Sequence, residues 1–155
     1  MLRLGLIVAT IIVLADRVVK WWAIGILADQ PFGVEILPFF NLVLVWNRGI
    51  SFGMLGGAAL PPWLLGAVAL AVTLALFIWL RRVETRLLAA TIGLVIGGAV
   101  GNVIDRFRFG AVADFFDVHW GDYHWPAFNL ADAAITVGVV ILLMDALLIG
   151  NERHK

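Results

Sequence analysis

The chain has 155 residues, of which 63% are hydrophobic and 14% charged, against about 25% charged in an average soluble domain. Its formal net charge is zero, and no basic patch with interleaved aromatics occurs, so nucleic acid is not an expected partner. There is no cysteine, which excludes disulfides, thiolate metal sites and cysteine nucleophiles and leaves hydrolytic chemistry to Asp, Glu, His, Ser or Thr.

The apolar residues come in long blocks, the pattern of a multi-pass membrane protein. The first block covers residues 4–26. Its start, Arg3 followed by an apolar run to Leu14, has the look of a signal peptide. The run continues through Trp21 and Trp22 with no small-x-small cleavage pattern, so a retained helix is expected. Within it Asp16 and Lys20 stand four apart and share one helix face. Either they neutralise each other while Lys20 and Arg17 reach for the interface, or that face turns towards a polar site. The second is favoured, because lipid does not return the desolvation cost of a buried pair.

Residues 27–62 are too polar and interrupted to cross a bilayer. The run from Glu35 to Trp46, rich in β-branched and aromatic residues, predicts short strands. Open sheet edges are not tolerated in hydrocarbon, so this sheet is expected on the membrane surface. Asn47, Arg48, Gly49, Ile50, Ser51, Phe52 and Gly53 follow as a turn, with Asn47 either shaping that turn or aiming its amide at a buried site.

Residues 63–80 and 87–104 are uncharged runs of about the length needed to span a bilayer. They are joined by the short connector from Arg81 to Arg86, which predicts an antiparallel hairpin. Gly93, Gly97, Gly98 and Gly101 recur at spacings of three or four and are expected on one face, letting a neighbouring helix approach closely. A last span is expected over residues 130–149, with Asp145 about 20 Å from Asp132 along the helix and therefore outside its site. Arg3, Arg81, Arg82, Arg86, Arg153 and Lys155 fall on one side of the bilayer, against Arg48, Arg106 and Arg108 on the other. This predicts cytoplasmic termini and outward-facing segments at 27–62 and 105–129. One integral membrane domain, residues 1–155, accounts for the whole length. The fold class expected is all-α: a four-transmembrane-helix bundle with a small sheet and loop region on its outer side.

The outward segment 105–129 reads as a linker holding Asp105, Asp114, Asp117 and Asp122, with Asp132 at the start of the next helix. Most of these have ordinary explanations. Asn129 and Asp132 resemble a helix N-cap and an acid in the first turn. Asp105 next to Arg106 fits an interfacial ion pair. Asp117 and Asp122 are expected to be solvated, and Trp120 and Trp125 beside His119 and His124 fit interfacial anchors. Asp114 is different, because it sits among Ala111, Val112, Ala113, Phe115 and Phe116 beside the membrane. Burial there favours its protonated form, and a second carboxylate nearby adds to the effect. Such a pair can share a proton, one member activating water while the other polarises a carbonyl, without cysteine or metal. Asp114 and Asp132 are the expected pair.

The motifs, taken together, resemble those of the bacterial lipoprotein signal peptidases, or signal peptidase II. Asp16 to Lys20 resembles the first-helix motif Asp-Gln-x-Ser/Thr-Lys. Asn47 to Gly53 resembles Asn-x-Gly-x-x-Phe, and Gly101 to Arg106 resembles the third-helix exit motif. Val112 to Phe115 and Phe128 to Asp132 resemble the two aspartate motifs. Arg17 and Val19 depart from the first motif, so the polar support of those two positions is not carried over. The resemblance implies an aspartic endopeptidase of the bacterial inner membrane that cuts diacylglyceryl-modified prolipoproteins just before the lipidated cysteine. Its dyad would be Asp114 and Asp132, lying at the periplasmic leaflet. By the same resemblance Asn47, Gly49, Asn102, Arg106, Asn129 and Ala131 would position substrate and dyad, while Asp16, Lys20 and Asp105 would hold the polar site together. Residues 33–46 would cradle the substrate. No metal or cofactor is expected, and the chain is expected to work as a monomer among membrane lipids. Two other readings remain at this stage: a metal-dependent hydrolase using His119 and His124, and a small transporter with Asp16, Lys20 and Asp105 as an ion path.

Overall fold

A computed structural model describes residues 1–49 and 61–152. Ile50, Ser51, Phe52 and Gly53 of the turn motif, and Arg153 and Lys155 of the tail, lie outside the described residues. In chain order the elements are α1 (Leu2–Leu27), β1 (Val34–Leu37), β2 (Phe40–Asn47), α2 (Pro62–Leu80), α3 (Arg86–Phe109), β3 (Val112–Trp120), β4 (Tyr123–His124) and α4 (Leu130–Glu152).

Local chemistry sets most of the helix ends. Pro62 opens α2, where its fixed φ suits the first turn and its missing N–H is no loss. Thr85 caps α3, its hydroxyl accepting from the Leu88 N–H at 3.3 Å. Gly110, at φ 69°, closes α3 in the left-handed conformation that glycine adopts without a Cβ penalty.

Helix α3 is the central element and packs against α1, α2 and α4. Its apolar window is 67% buried, against 17% for those of α2 and α4. Glycines make this possible, on two faces of α3 rather than the single face expected. A Cβ on Gly93 would lie 2.5 Å from the Gly5 carbonyl oxygen, and one on Gly97 2.7 Å from that of Ala9, both in α1. Gly98 faces α4 instead, against the Ala131 carbonyl. Backbone therefore approaches backbone on either side of α3, as small residues permit between membrane helices. Gly98→Ala would drive its methyl into Ala131 and Ile135. We expect it to cost about 1–3 kcal/mol, read as a lower melting temperature in detergent; an unchanged melt would contradict this packing.

Three helical stretches, Trp63–Leu80, Arg86–Phe109 and Leu130–Leu148, are long and apolar enough to cross a membrane. Helix α1 is as long, but it carries Asp16, Arg17 and Lys20 within two turns.

The main departure from expectation lies in residues 105–129. The third helix does not stop at Ile104 but runs to Phe109, so Asp105 and Arg106 belong to it. An acid inside the helix is tolerated because cations of α1 meet Asp105 there. Residues 112–120 are not linker but strand β3, the second central strand of an antiparallel sheet ordered β1-β2-β3-β4. Trp46 is paired with Ala113 and Val45 with Asp114. The sheet rests on the C-terminal part of α1, where Ala23, Leu27, Leu42 and Phe115 form a buried cluster.

Candidate active site

Four separate elements deliver carboxylates or amides to one place under the sheet. Strand β3 brings Asp114, which is 2% exposed. Strand β2 ends at Asn47, whose side-chain oxygen accepts from the Gly49 N–H at 3.1 Å, a short turn that fixes the amide. The Asn47 Nδ2 then donates to Asp114 Oδ2 at 3.0 Å. Among the described residues Gly49 contributes this N–H, and a Cβ there would meet nothing within 4 Å.

Asn129 and Asp132 begin α4 as a reciprocal cap. The Asp132 N–H donates to Asn129 Oδ1 at 3.0 Å, and the Asn129 N–H donates to Asp132 Oδ2 at 3.2 Å. The ordinary capping explanation is therefore correct, and it coexists with a second arrangement. With its oxygen committed to the cap, the Asn129 Nδ2 is free to donate to Asp114 Oδ1, at 2.7 Å, and to Asn102 Oδ1, at 3.3 Å. Asn129 thus holds both aspartates, one through its amide and the other through its backbone. Asn102 donates to Asp132 Oδ1 at 2.7 Å. Every carboxylate oxygen of the pair accepts an N–H from a positioned group.

The two acids also act on each other. Burial, and after it the nearby Asp132 charge, pushes the Asp114 pKa up from 3.8 to about 6, against the Asn47 and Asn129 hydrogen bonds that favour the anion. In an Asp132→Asn variant Asp114 is expected to titrate at lower pH, because losing a neighbouring negative charge favours ionisation. Carbon-13 shifts of labelled aspartate carboxyls would show it, and an unmoved midpoint would mean the two do not interact.

Behind the pair lies a buried ion cluster. Asp16 and Asp105 are 0% exposed and Lys20 is 2% exposed. The Lys20 ammonium donates to Asp105 at 2.7 Å, to Asn102 at 3.0 Å and to Asp16 at 3.1 Å, which uses all three of its protons. A closed network of this kind does not favour the ion-path reading. Asp16 also accepts from the Ala131 N–H at 3.2 Å, which ties α1 to the start of α4. Ala131 is fully buried, and its carbonyl lies against Gly98.

Arg17 was not expected here. Its guanidinium donates to Asp105 at 2.6 Å and to Asp16 at 2.7 Å, so it joins the cluster rather than reaching for the interface. Val19 instead packs on the apolar cluster under the sheet. The signal for Arg17 was the presence of two acids, Asp16 and Asp105, with only one other cation buried beside them. Arg106 is half-buried, within Coulombic range of Asp132, Asp114 and Asp105, and its side chain has no hydrogen bond or ion pair among the described residues.

Asp117 also differs from expectation. It is buried, not solvated, and accepts from Asn41 at 3.0 Å and from His124 Nδ1 at 2.8 Å, tying β2, β3 and β4 together. His119 stacks on His124 at 4.7 Å. Among the described residues no three His, Cys, Asp or Glu side chains converge as a metal ligand set. Beside the pair, Trp125, Phe128, Ala133, Ile135 and Val137 line an open apolar groove of about 500 Å³, with Asp132 on its wall.

A bundle of apolar helices that carries a small antiparallel sheet over buried, neighbouring carboxylates defines a membrane enzyme. The fold is similar to that of a bacterial membrane enzyme solved by the in meso method at 2.3 Å, with TM-score 0.80 and 28% identity over 97% of this chain and 91% of that one. A second such structure, at 1.9 Å, matches with TM-score 0.75 and 28% identity over 92% of each chain. Residues 8–148 match the family Signal peptidase (SPase) II. The lipoprotein signal peptidase of Methylorubrum extorquens (strain PA1) is 45% identical over 94% of this chain and 86% of its own length. That of Burkholderia thailandensis is 44% identical over 90% and 85%. The chain belongs to the signal peptidase II family and is a membrane protease.

Proposed function

We propose that the protein is an aspartic endopeptidase that removes the signal peptide from diacylglyceryl-modified prolipoproteins, cutting just before the lipidated cysteine. The observation that carries this reading is the grip of Asn129 on both Asp114 and Asp132. In the proposed reaction one carboxylate is ionised and takes a proton from water as the water oxygen attacks the scissile carbonyl carbon. The other, protonated, donates to the carbonyl oxygen. The tetrahedral intermediate collapses as the C–N bond breaks: the proton taken from water passes to the amine nitrogen of the lipidated cysteine, and a hydroxyl of the intermediate returns its proton to the other carboxylate as the carbonyl re-forms. The pair titrates as a unit.

Arg106, near Asp114 and Asp132 but without a hydrogen bond or ion pair among the described residues, is suited to bind substrate backbone carbonyls, as Asn47 and Gly49 are at the end of β2. The apolar groove beside Asp132 suits a greasy substrate. The proposed topology has all four helices crossing the bacterial inner membrane in a single domain. In support, α1 turns Asp16 and Lys20 inwards and exposes Ile7, Ile11, Leu14 and Val18, an apolar stripe fit for lipid. The positions of Arg3, Arg81, Arg82 and Arg86 support cytoplasmic termini, with the dyad at the periplasmic leaflet. Sharing one bilayer with the substrate raises the encounter rate and restricts orientation. The test is cleavage of a diacylglyceryl-modified prolipoprotein by purified protein in lipid, with the Asp114→Asn and Asp132→Asn proteins beside it. Failure of the wild type to cut, or cutting by either variant at the wild-type rate, would refute the proposal.

A further inference from the structure

We propose that Arg17 is a positioning residue for the dyad, the counter-charge that sets the pH range over which Asp114 and Asp132 work; the inference rests on the peptidase reading above. Three observations carry it. The guanidinium forks between carboxylates of two helices, Asp16 of α1 and Asp105 of α3, and also donates to the Gly101 carbonyl at 3.2 Å. A planar fork holds two oxygens in a way an ammonium does not. Second, the cluster balances only with Arg17 present. Asp16 and Asp105 are two buried anions, and among the described residues Lys20 is the one other cation in contact with them. Third, the cluster touches the dyad at two points. Lys20 holds the oxygen of Asn102, whose amide donates to Asp132, and Asp16 holds the N–H of Ala131, the residue before Asp132.

Removing the Arg17 charge leaves one uncompensated anion beside the pair and draws Lys20 away from Asn102. Lys20 and Arg106 lie within Coulombic range of the pair itself, and Asp16, Arg17 and Asp105 are tied to it through Lys20, Asn102 and Ala131; over these five groups the loss changes the summed charge from +1 to 0. Less positive charge favours the protonated carboxyls. Both limbs of the activity profile therefore move to higher pH. With the Arg17 side chain 23% exposed and acting through neighbours, the expected shift is about half a pH unit.

The experiment measures kcat/KM against pH for four proteins. Arg17→Gln places the residue of the related motif there, so it is expected to fold and cut, with both limbs displaced upwards. Arg17→Lys keeps the charge without the fork and is expected to keep the wild-type limbs. Arg17→Gln/Asp105→Asn removes one charge of each sign and is expected to return the limbs towards wild type, which a purely structural role of Arg17 would not do. Wild-type limbs in Arg17→Gln, or a double variant displaced further than the single one, would overturn the inference. Should Arg17→Gln not fold, displaced limbs in Arg17→Lys would overturn it and wild-type limbs would support it. An inactive wild type, or an active Asp132→Asn protein, would instead overturn the peptidase reading.

Discussion

Asp114→Asn and Asp132→Asn are each expected to lower cleavage of a diacylglyceryl prolipoprotein by at least about 10³-fold, within the range that a lost acid–base group accounts for. Neither substitution changes side-chain volume much, so the loss would report on chemistry. Stability should also fall, for a reason visible in the hydrogen bonds. Asp114 accepts from Asn47 on one oxygen and from Asn129 on the other, and Asp132 accepts from Asn102 and from the Asn129 N–H. An amide at either position places a donor against a donor, a mismatch worth about 1–3 kcal/mol. The melting temperature should therefore drop somewhat while the protein remains folded. The double variant should be no less active than either single one, because groups that act as one unit are not additive. A double variant another 10³-fold slower than the singles would mean that the two acids act separately.

Lys20→Met is expected to be the most destabilising single change in the site. The side chain is 2% exposed between two carboxylates that are 0% exposed. Methionine fills a similar space but, among the described residues, leaves Asp16 and Asp105 with Arg17 as their one counter-charge, and its side chain is 23% exposed. Breaking a buried pair in this way costs about 3–5 kcal/mol. Unfolding in detergent should shift accordingly, and cleavage should fall as well, since Asn102 loses the ammonium that orients its amide towards Asp132. A melting temperature equal to that of the wild type would show that the cluster does not hold the helices together.

Much of this molecule is legible from local pattern. The apolar runs of α2, α3 and α4 mark themselves, because a bilayer requires a nearly uncharged stretch of set length. The Asn129 cap and the breaking power of Pro62 act over a few residues and need no partner elsewhere. The pairing of Asp16 with Lys20 follows from helix periodicity alone. Asp114 was singled out by its setting too, as an acid among apolar residues beside a membrane, whereas Asp132 also fitted an ordinary first-turn acid and joined the pair on the motif resemblance.

Other features depend on residues far apart in the chain, and no local pattern contains them. Val112–Trp120 does not alternate cleanly between apolar and polar residues, since its first half is buried on both sides, so strand β3 becomes evident only through its pairing with β2. That pairing brings Asn47 to Asp114, 67 residues away in sequence. The end of α3 was misjudged at its first charge, because the cations that make Asp105 tolerable belong to α1. Arg17 by itself is a basic residue within a mostly apolar helix; only the close approach of α1 and α3 over Gly93 and Gly97 turns it into the second counter-ion of a buried cluster. The sequence by itself determined which segments are long and apolar enough to cross a membrane and which side chains are candidates for the proposed chemistry. Tertiary structure alone decided which of them meet, because the energy of a buried charge is set by the groups folded against it and not by its neighbours in the chain.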